Sequence, residues 1–169
     1  EVMTLEALKD FARELAGFGI NALVMEYEAS FPYREHATLA NRFTYTREQI
    51  KELVSYCDSL GIQVIPLQEC MGHVQYILRH ERYADLKVDD SILSQVDPLN
   101  GDAIDLFDEL IRDMASLHPS DYIHVGGDEV RHLHHEKYND YLQEHGVSKL
   151  YTQYMKKICQ IVIDLGKTP

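Results

Sequence analysis

Residues 121–130 read Asp-Tyr-Ile-His-Val-Gly-Gly-Asp-Glu-Val: a short apolar run, two glycines, then the adjacent carboxylates Asp128 and Glu129. Neighbouring side chains on a strand point to opposite faces, so two adjacent acids share a cleft only where the strand has just ended. The glycines let the backbone bend there and leave room beside the pair. Two negative charges a few ångströms apart raise each other's pKa. A carboxyl that keeps its proton near neutral pH is what a general acid needs. The same residues also read as a strand entering a helix, with Asp128 as N-cap and Glu129 in the first turn.

Further candidates stand at the ends of two other apolar runs. Residues 20–25 lead into Glu26-Tyr27-Glu28, and residues 62–67 lead into Gln68-Glu69 and then Gly72-His73. Both runs, and a third over residues 122–125, are short, apolar and rich in β-branched residues, as buried parallel strands are. Helical spacing fills the intervals. Residues 4–16 open on Thr4 and set Leu5, Leu8, Phe11, Ala12 and Leu15 on one face. Residues 46–60 open on a capping-box pair, Thr46 and Gln49. Residues 102–117 are stopped by His118-Pro119, and a last helix runs from about Ser148 to Leu165. A short helix is expected near residues 74–80.

This alternation predicts repeated β/α units around a parallel sheet, with right-handed crossovers. The carboxyl ends of such strands share one edge, where βα proteins carry their chemistry. Glu26, Glu28, His73, Asp128 and Glu129 therefore converge on one cleft, and a carboxylate pair there suggests glycoside hydrolysis. His124 lies within the third run, either packed or facing the cleft. Tyr27, Phe31 and Tyr33 either line the site or pack the loop. Residues 97–100, Asp-Pro-Leu-Asn, read as a turn and a helix start.

The bulk properties narrow the partners. A net charge of −12 argues against nucleic acid and an anionic membrane surface as partners. No apolar run approaches the roughly 20 residues of a membrane span. Cys57, Cys70 and Cys159 are odd in number and widely spaced, which argues against a disulfide framework. His132, His134 and His135 fit no standard zinc spacing.

The run His124-Val125-Gly126-Gly127-Asp128-Glu129 resembles the strand-four motif of glycoside hydrolase family 20, the β-N-acetylhexosaminidases. Met71-Gly72-His73 resembles that family's Pro-Gly-His on strand three, with methionine in place of the usual proline. Met25-Glu26-Tyr27-Glu28 with Phe31-Pro32-Tyr33, and Ile65-Pro66-Leu67-Gln68, resemble its hexosaminidase D-like branch. The resemblance implies a (β/α)8 barrel and substrate-assisted catalysis on glycans containing N-acetylglucosamine or N-acetylgalactosamine. Asp128 would orient the 2-acetamido group, Glu129 would act as general acid and base, and His73 would hydrogen-bond near the acid. Glu28, or Glu26, would polarise the histidine or touch sugar hydroxyls, and His124 would be a further substrate contact. No metal or other cofactor is implied. The competing readings are another barrel glycosidase with a conventional carboxylate pair, and a sugar-binding barrel without catalysis.

A barrel needs eight strands, and three runs are visible. The expectation is an α/β chain forming part of a (β/α)8 barrel, about strands 2–4 with flanking helices. Residues 1–169 would then be a fragment of one catalytic domain, lacking strand 1 and strands 5–8. Tryptophan is absent, and the resemblance implies that the family's tryptophan cage belongs to the missing half. Three parallel strands leave two unpaired edges, so the isolated chain is expected to self-associate and to be inactive.

Overall fold

Threonine caps start the first two helices. In the computed structural model, which describes residues 2–169, Thr4 accepts the Ala7 N–H ahead of α1 (Leu5–Gly17). After β1 (Ala22–Glu26) and two single 3-10 turns, Thr46 forms the full capping box with Gln49 and opens α2 (Arg47–Ser59). A side-chain cap of this kind is worth about 1 kcal/mol. Gly61, with φ +74°, turns the chain into β2 (Gln63–Leu67). A short α3 (Gln75–Leu78) follows, then a 3-10 stretch over Glu81–Leu86. Asn100 caps α4 (Gly101–Ala115) by accepting the Asp102 N–H, and Asp97 accepts the Leu99 N–H, so residues 97–100 form the turn and helix start. The chain closes with α5 (Asn139–His145) and α6 (Val147–Asp164). The sequence reading gave α5 no helix.

β1 and β2 form a two-stranded parallel sheet in register from Ala22 opposite Gln63 to Glu26 opposite Leu67. The third strand expected over residues 122–125 is a correction. That segment makes only isolated parallel bridges, Leu67 with His124 and Tyr122 with Thr168. His124 still donates its N–H to Pro66 O at 2.9 Å and accepts from Gln68 N at 2.9 Å, so it continues the sheet edge beyond β2. Gly126, at φ +63°, turns the chain out of this alignment before a longer ladder forms.

The core lies between the sheet and the helices α2, α4 and α6. Ile50, Cys57, Ile62, Phe107, Leu110 and Ile158 are buried there. β2 carries the core face, with Val64 and Pro66 buried. β1 is not the fully buried strand that its composition predicts: Ala22, Val24 and Glu26 are exposed, and Val24 is 48% exposed. Phe11, expected on the inner face of α1, is also exposed. Among the described residues no helix is long and apolar enough to cross a membrane.

The loop after β1 is packed from within. Tyr27, Phe31 and Tyr33 are buried and meet at ring-centroid distances of 5.6 Å and 4.7 Å. Such pairs add about 0.5–1.5 kcal/mol beyond area burial. His118 joins them, with Nε2 3.0 Å from the Tyr27 hydroxyl and Nδ1 2.8 Å from Met114 O. Burial pulls its pKa down to about 4, so it is a neutral packing histidine near neutral pH. These aromatics hold the loop in place.

Candidate active site

Backbone strain marks the site. Among the described residues, the non-glycine residues with positive φ are Glu28 at 46°, His73 at 53° and Glu129 at 46°. Left-handed backbone is unfavourable for residues with a Cβ, costs on the order of 1–3 kcal/mol, and gathers at functional sites. All three are residues whose types suggested chemistry from sequence.

The glycines tell the same story by close approach. A Cβ on Gly72 would lie 2.8 Å from Asp128 O, so the Gly72-His73 turn is pressed against the acid pair's backbone. A Cβ on Gly126 would lie 2.1 Å from Glu69 Oε2, and one on Gly127 would lie 2.9 Å from both Tyr151 Oη and Met155 Cε. The chain beside Asp128 is therefore enclosed by side chains from the end of β2 and from α6.

The acids do not begin a helix. No helix follows Asp128 until the 3-10 turn at Glu136–Tyr138, which removes the reading of Asp128 as an N-cap. Instead His73 stands between the pair, with Nε2 3.5 Å from Asp128 Oδ2 and 3.4 Å from Glu129 Oε2. Both acids are partly open to solvent, as substrate access requires. Arg131 Nη2 lies 3.1 Å from the other Glu129 oxygen, Oε1. That pair is highly exposed, so opening it costs at most about 1 kcal/mol.

A cleft of about 580 Å³ opens beside the pair, lined by Glu26, Leu67, Glu69, His124, Gly126, Gly127, Asp128 and Tyr151. The structure thus brings Glu26, His124 and Asp128 to one cleft, with His73 and Glu129 beside it. His124 is exposed there rather than packed inside a strand, and its Nδ1 accepts the Gly126 N–H at 3.1 Å. Glu28 is set on the first 3-10 turn and lines a neighbouring cleft of about 560 Å³ that Glu26 shares. Burial and the Glu26 charge push its carboxyl up, while His73 and Arg79 pull it down.

Arg131 and Tyr151 carry no signal in the sequence. Glu69, the acid at the end of the second apolar run, is 6% exposed. Its Oε2 accepts the Gly127 N–H at 3.2 Å. Burial is the largest cause raising its pKa; the Gly127 bond opposes it, and Asp128 and Glu26 add to it, giving about 7. It stands two residues past β2, as Glu28 stands two residues past β1. Among the described residues His132, His134 and His135 belong to no cluster of potential metal ligands: His132 N donates to Gln95, and His135 caps the turn at Glu136–Tyr138.

Residues 24–169 match the family model described as glycosyl hydrolase family 20, catalytic domain. Over 117 residues the chain is 32% identical to hexosaminidase D of Bos taurus, covering 68% of this chain and 34% of that protein. It is also 32% identical to hexosaminidase D of Homo sapiens over the same share of this chain and 24% of that protein. The chain thus spans about a third or less of these curated relatives. The chitobiase of Flavobacterium johnsoniae superposes with a TM-score of 0.80 at 23% identity, over 99% of this chain and 29% of that one. The family 20 β-N-acetylhexosaminidase of Streptomyces coelicolor gives 0.77 at 20%, over 99% and 36%. At such identities the two structures establish a shared mixed α/β fold.

Proposed function

Because the chain belongs to glycosyl hydrolase family 20, we propose that the full-length protein is a β-N-acetylhexosaminidase and that residues 128 and 129 carry its chemistry. The observation that supports this most is the seat of His73 between the two carboxylates, with His73 and Glu129 both held in left-handed backbone.

The substrate's own 2-acetamido oxygen attacks the anomeric carbon as the glycosidic bond breaks, giving an oxazolinium ion. Asp128, at the cleft wall, accepts the acetamido N–H and stabilises the positive charge that develops there. Glu129 delivers its proton to the departing oxygen and then takes one from water. Its pairing with Arg131 is opened by the incoming sugar. His73 spans both acids and keeps them apart in aim. Glu26 and His124 face the same cleft and are assigned to sugar hydroxyls. Glu28 acts on His73 by its charge. The substrates are glycans ending in N-acetylglucosamine or N-acetylgalactosamine, and the site needs no cofactor.

A thiazoline mimic of the oxazoline tests the reading. It should inhibit the full-length protein competitively. Turnover of aryl glycosides that no thiazoline slows would reject it.

The architecture belongs to the same proposal. Residues 1–169 form the part of a (β/α)8 barrel containing strands 2–4, the segment at residues 122–125 standing for the fourth. The bridge from Tyr122 to Thr168 and the unpaired outer edge of β1 support further strands on both sides. The 169-residue chain alone should therefore self-associate through its edges and show no turnover. Size-exclusion chromatography at micromolar concentration checks this, and a monomeric, active species would contradict it.

A further inference from the structure

We propose that Glu69 and Tyr151 bracket the Gly127 peptide and thereby aim Asp128, which makes them positioning residues for the reaction. The inference rests on the functional reading above and assigns roles to two side chains that the reading leaves idle.

The bracket holds both polar groups of one residue. Gly127 donates its N–H to Glu69 Oε2 at 3.2 Å and accepts the Tyr151 hydroxyl on its carbonyl at 2.8 Å. Gly127 has φ +99°, and Cβ atoms at 126 or 127 would strike these two side chains. Glu69 thus holds the peptide between Gly126 and Gly127, Tyr151 holds the one between Gly127 and Asp128, and Asp128 inherits its direction from a residue fixed on both sides.

The bracket is itself anchored. Gln68, next to Glu69, is buried between the Tyr33 and Tyr76 hydroxyls, at 2.6 Å and 2.8 Å. The Tyr154 hydroxyl donates to Cys70 O at 2.7 Å, and Tyr154 lies one turn along α6 from Tyr151. Residues 68 to 70 past the end of β2 are therefore tied in turn to the loop after β1 and α3, to the acid-bearing turn, and to α6.

Glu69 can serve in two protonation states. The groups facing it are Asp128 and Glu26 across the cleft, the Gly127 N–H, the His124 ring on the same wall and the buried Cys70 thiol beside it. Below pH about 7 it keeps a proton and donates to Asp128 while still accepting from Gly127. Above that pH it is a second anion beside Asp128, the donation is lost and the two repel. Glutamine reproduces the protonated form at every pH, with one donor and one acceptor in the same shape.

The experiment uses the full-length protein and an aryl N-acetyl-β-glucosaminide over pH 5–9. Glu69→Gln should match wild-type kcat within about threefold at pH 5.5, and the ratio of variant to wild type should rise about tenfold by pH 8.5. Glu69→Ala should lose on the order of 10- to 100-fold in kcat at all pH values, with KM within about twofold. Tyr151→Phe should lose roughly tenfold in kcat with the pH profile unchanged in shape. Melting curves establish that the variants fold. Calorimetric thiazoline affinity gives the same comparison without turnover, with Glu69→Ala weakened on the order of tenfold. An active wild type with a pH-independent Glu69→Gln ratio, or with Glu69→Ala and Tyr151→Phe indifferent in kcat and affinity, overturns the bracket alone. A wild type that neither turns over the glycoside nor binds the thiazoline overturns the functional reading and the bracket's role together.

Discussion

Glu129→Gln in the full-length protein is expected to lower kcat for N-acetyl-β-glucosaminides by about 10²–10⁴-fold, the usual share of general acid–base catalysis. Glutamine keeps the shape and can still meet His73 and Arg131, but it has no proton to give. KM should change little, because the lost interaction belongs to the transition state. Stability should also change little, since the ion pair to Arg131 is exposed and such pairs contribute at most about 1 kcal/mol. The loss should be greater for a sugar or alkyl leaving group than for a nitrophenol, because a poor leaving group depends more on the donated proton. Steady-state kinetics on both substrate types reads this. A loss below about tenfold on the poor leaving group would remove Glu129 from the acid role.

Gly126→Ala should damage stability and activity together. The residue has φ +63°, where an added Cβ is strained by roughly 1–2 kcal/mol. The same Cβ would sit 2.1 Å from Glu69 Oε2 and 2.5 Å from Oε1, so the buried carboxylate must leave its place. Overpacking of this kind costs about 1–3 kcal/mol. The sum is a destabilisation of about 2–5 kcal/mol and a misdirected Asp128. The two causes separate in a double variant. Glu69→Ala in the Gly126→Ala background removes the clash but leaves the strain. It should recover about 1–2 kcal/mol of stability and none of the activity. Denaturant unfolding and kinetics measure both. A Gly126→Ala protein within about 0.5 kcal/mol of wild type would show that the carboxylate is not held where the geometry puts it.

The helices were legible because their ends are written locally. Thr4, Thr46 and Asn100 cap α1, α2 and α4 through hydrogen bonds within three residues, and glycine follows the first two. The acid pair was legible because two glycines in succession beside two carboxylates have few purely structural uses. The third strand was overread. Its composition suits a strand, but pairing is decided by partners far along the chain, and here these are single bridges at Leu67 and Thr168. β1 was read as buried because its residues are apolar, while its exposure depends on what covers Val24. Glu69 is legible as an acid at a strand end but not as a partner of Gly127, and Tyr151 is not legible at all. They meet Gly127 from 58 and 24 residues away in sequence, and no local pattern joins either to it. Arg131 sits two residues past Glu129, in no regular element, and its reach back to the Glu129 carboxylate is set by the left-handed turn there rather than by a helical or strand spacing.

In the proposed mechanism the acetamido group of the substrate does the work of a nucleophile beside Asp128 and Glu129. The most direct test is the full-length protein given 4-nitrophenyl N-acetyl-β-glucosaminide and, in parallel, 4-nitrophenyl β-glucoside, which has a hydroxyl in place of the acetamido group. kcat/KM is expected to be higher for the acetamido substrate by on the order of 10³-fold or more, since without that group the first bond-forming step has no partner. Comparable turnover of the glucoside would mean that a protein carboxylate makes the bond, and would contradict substrate assistance.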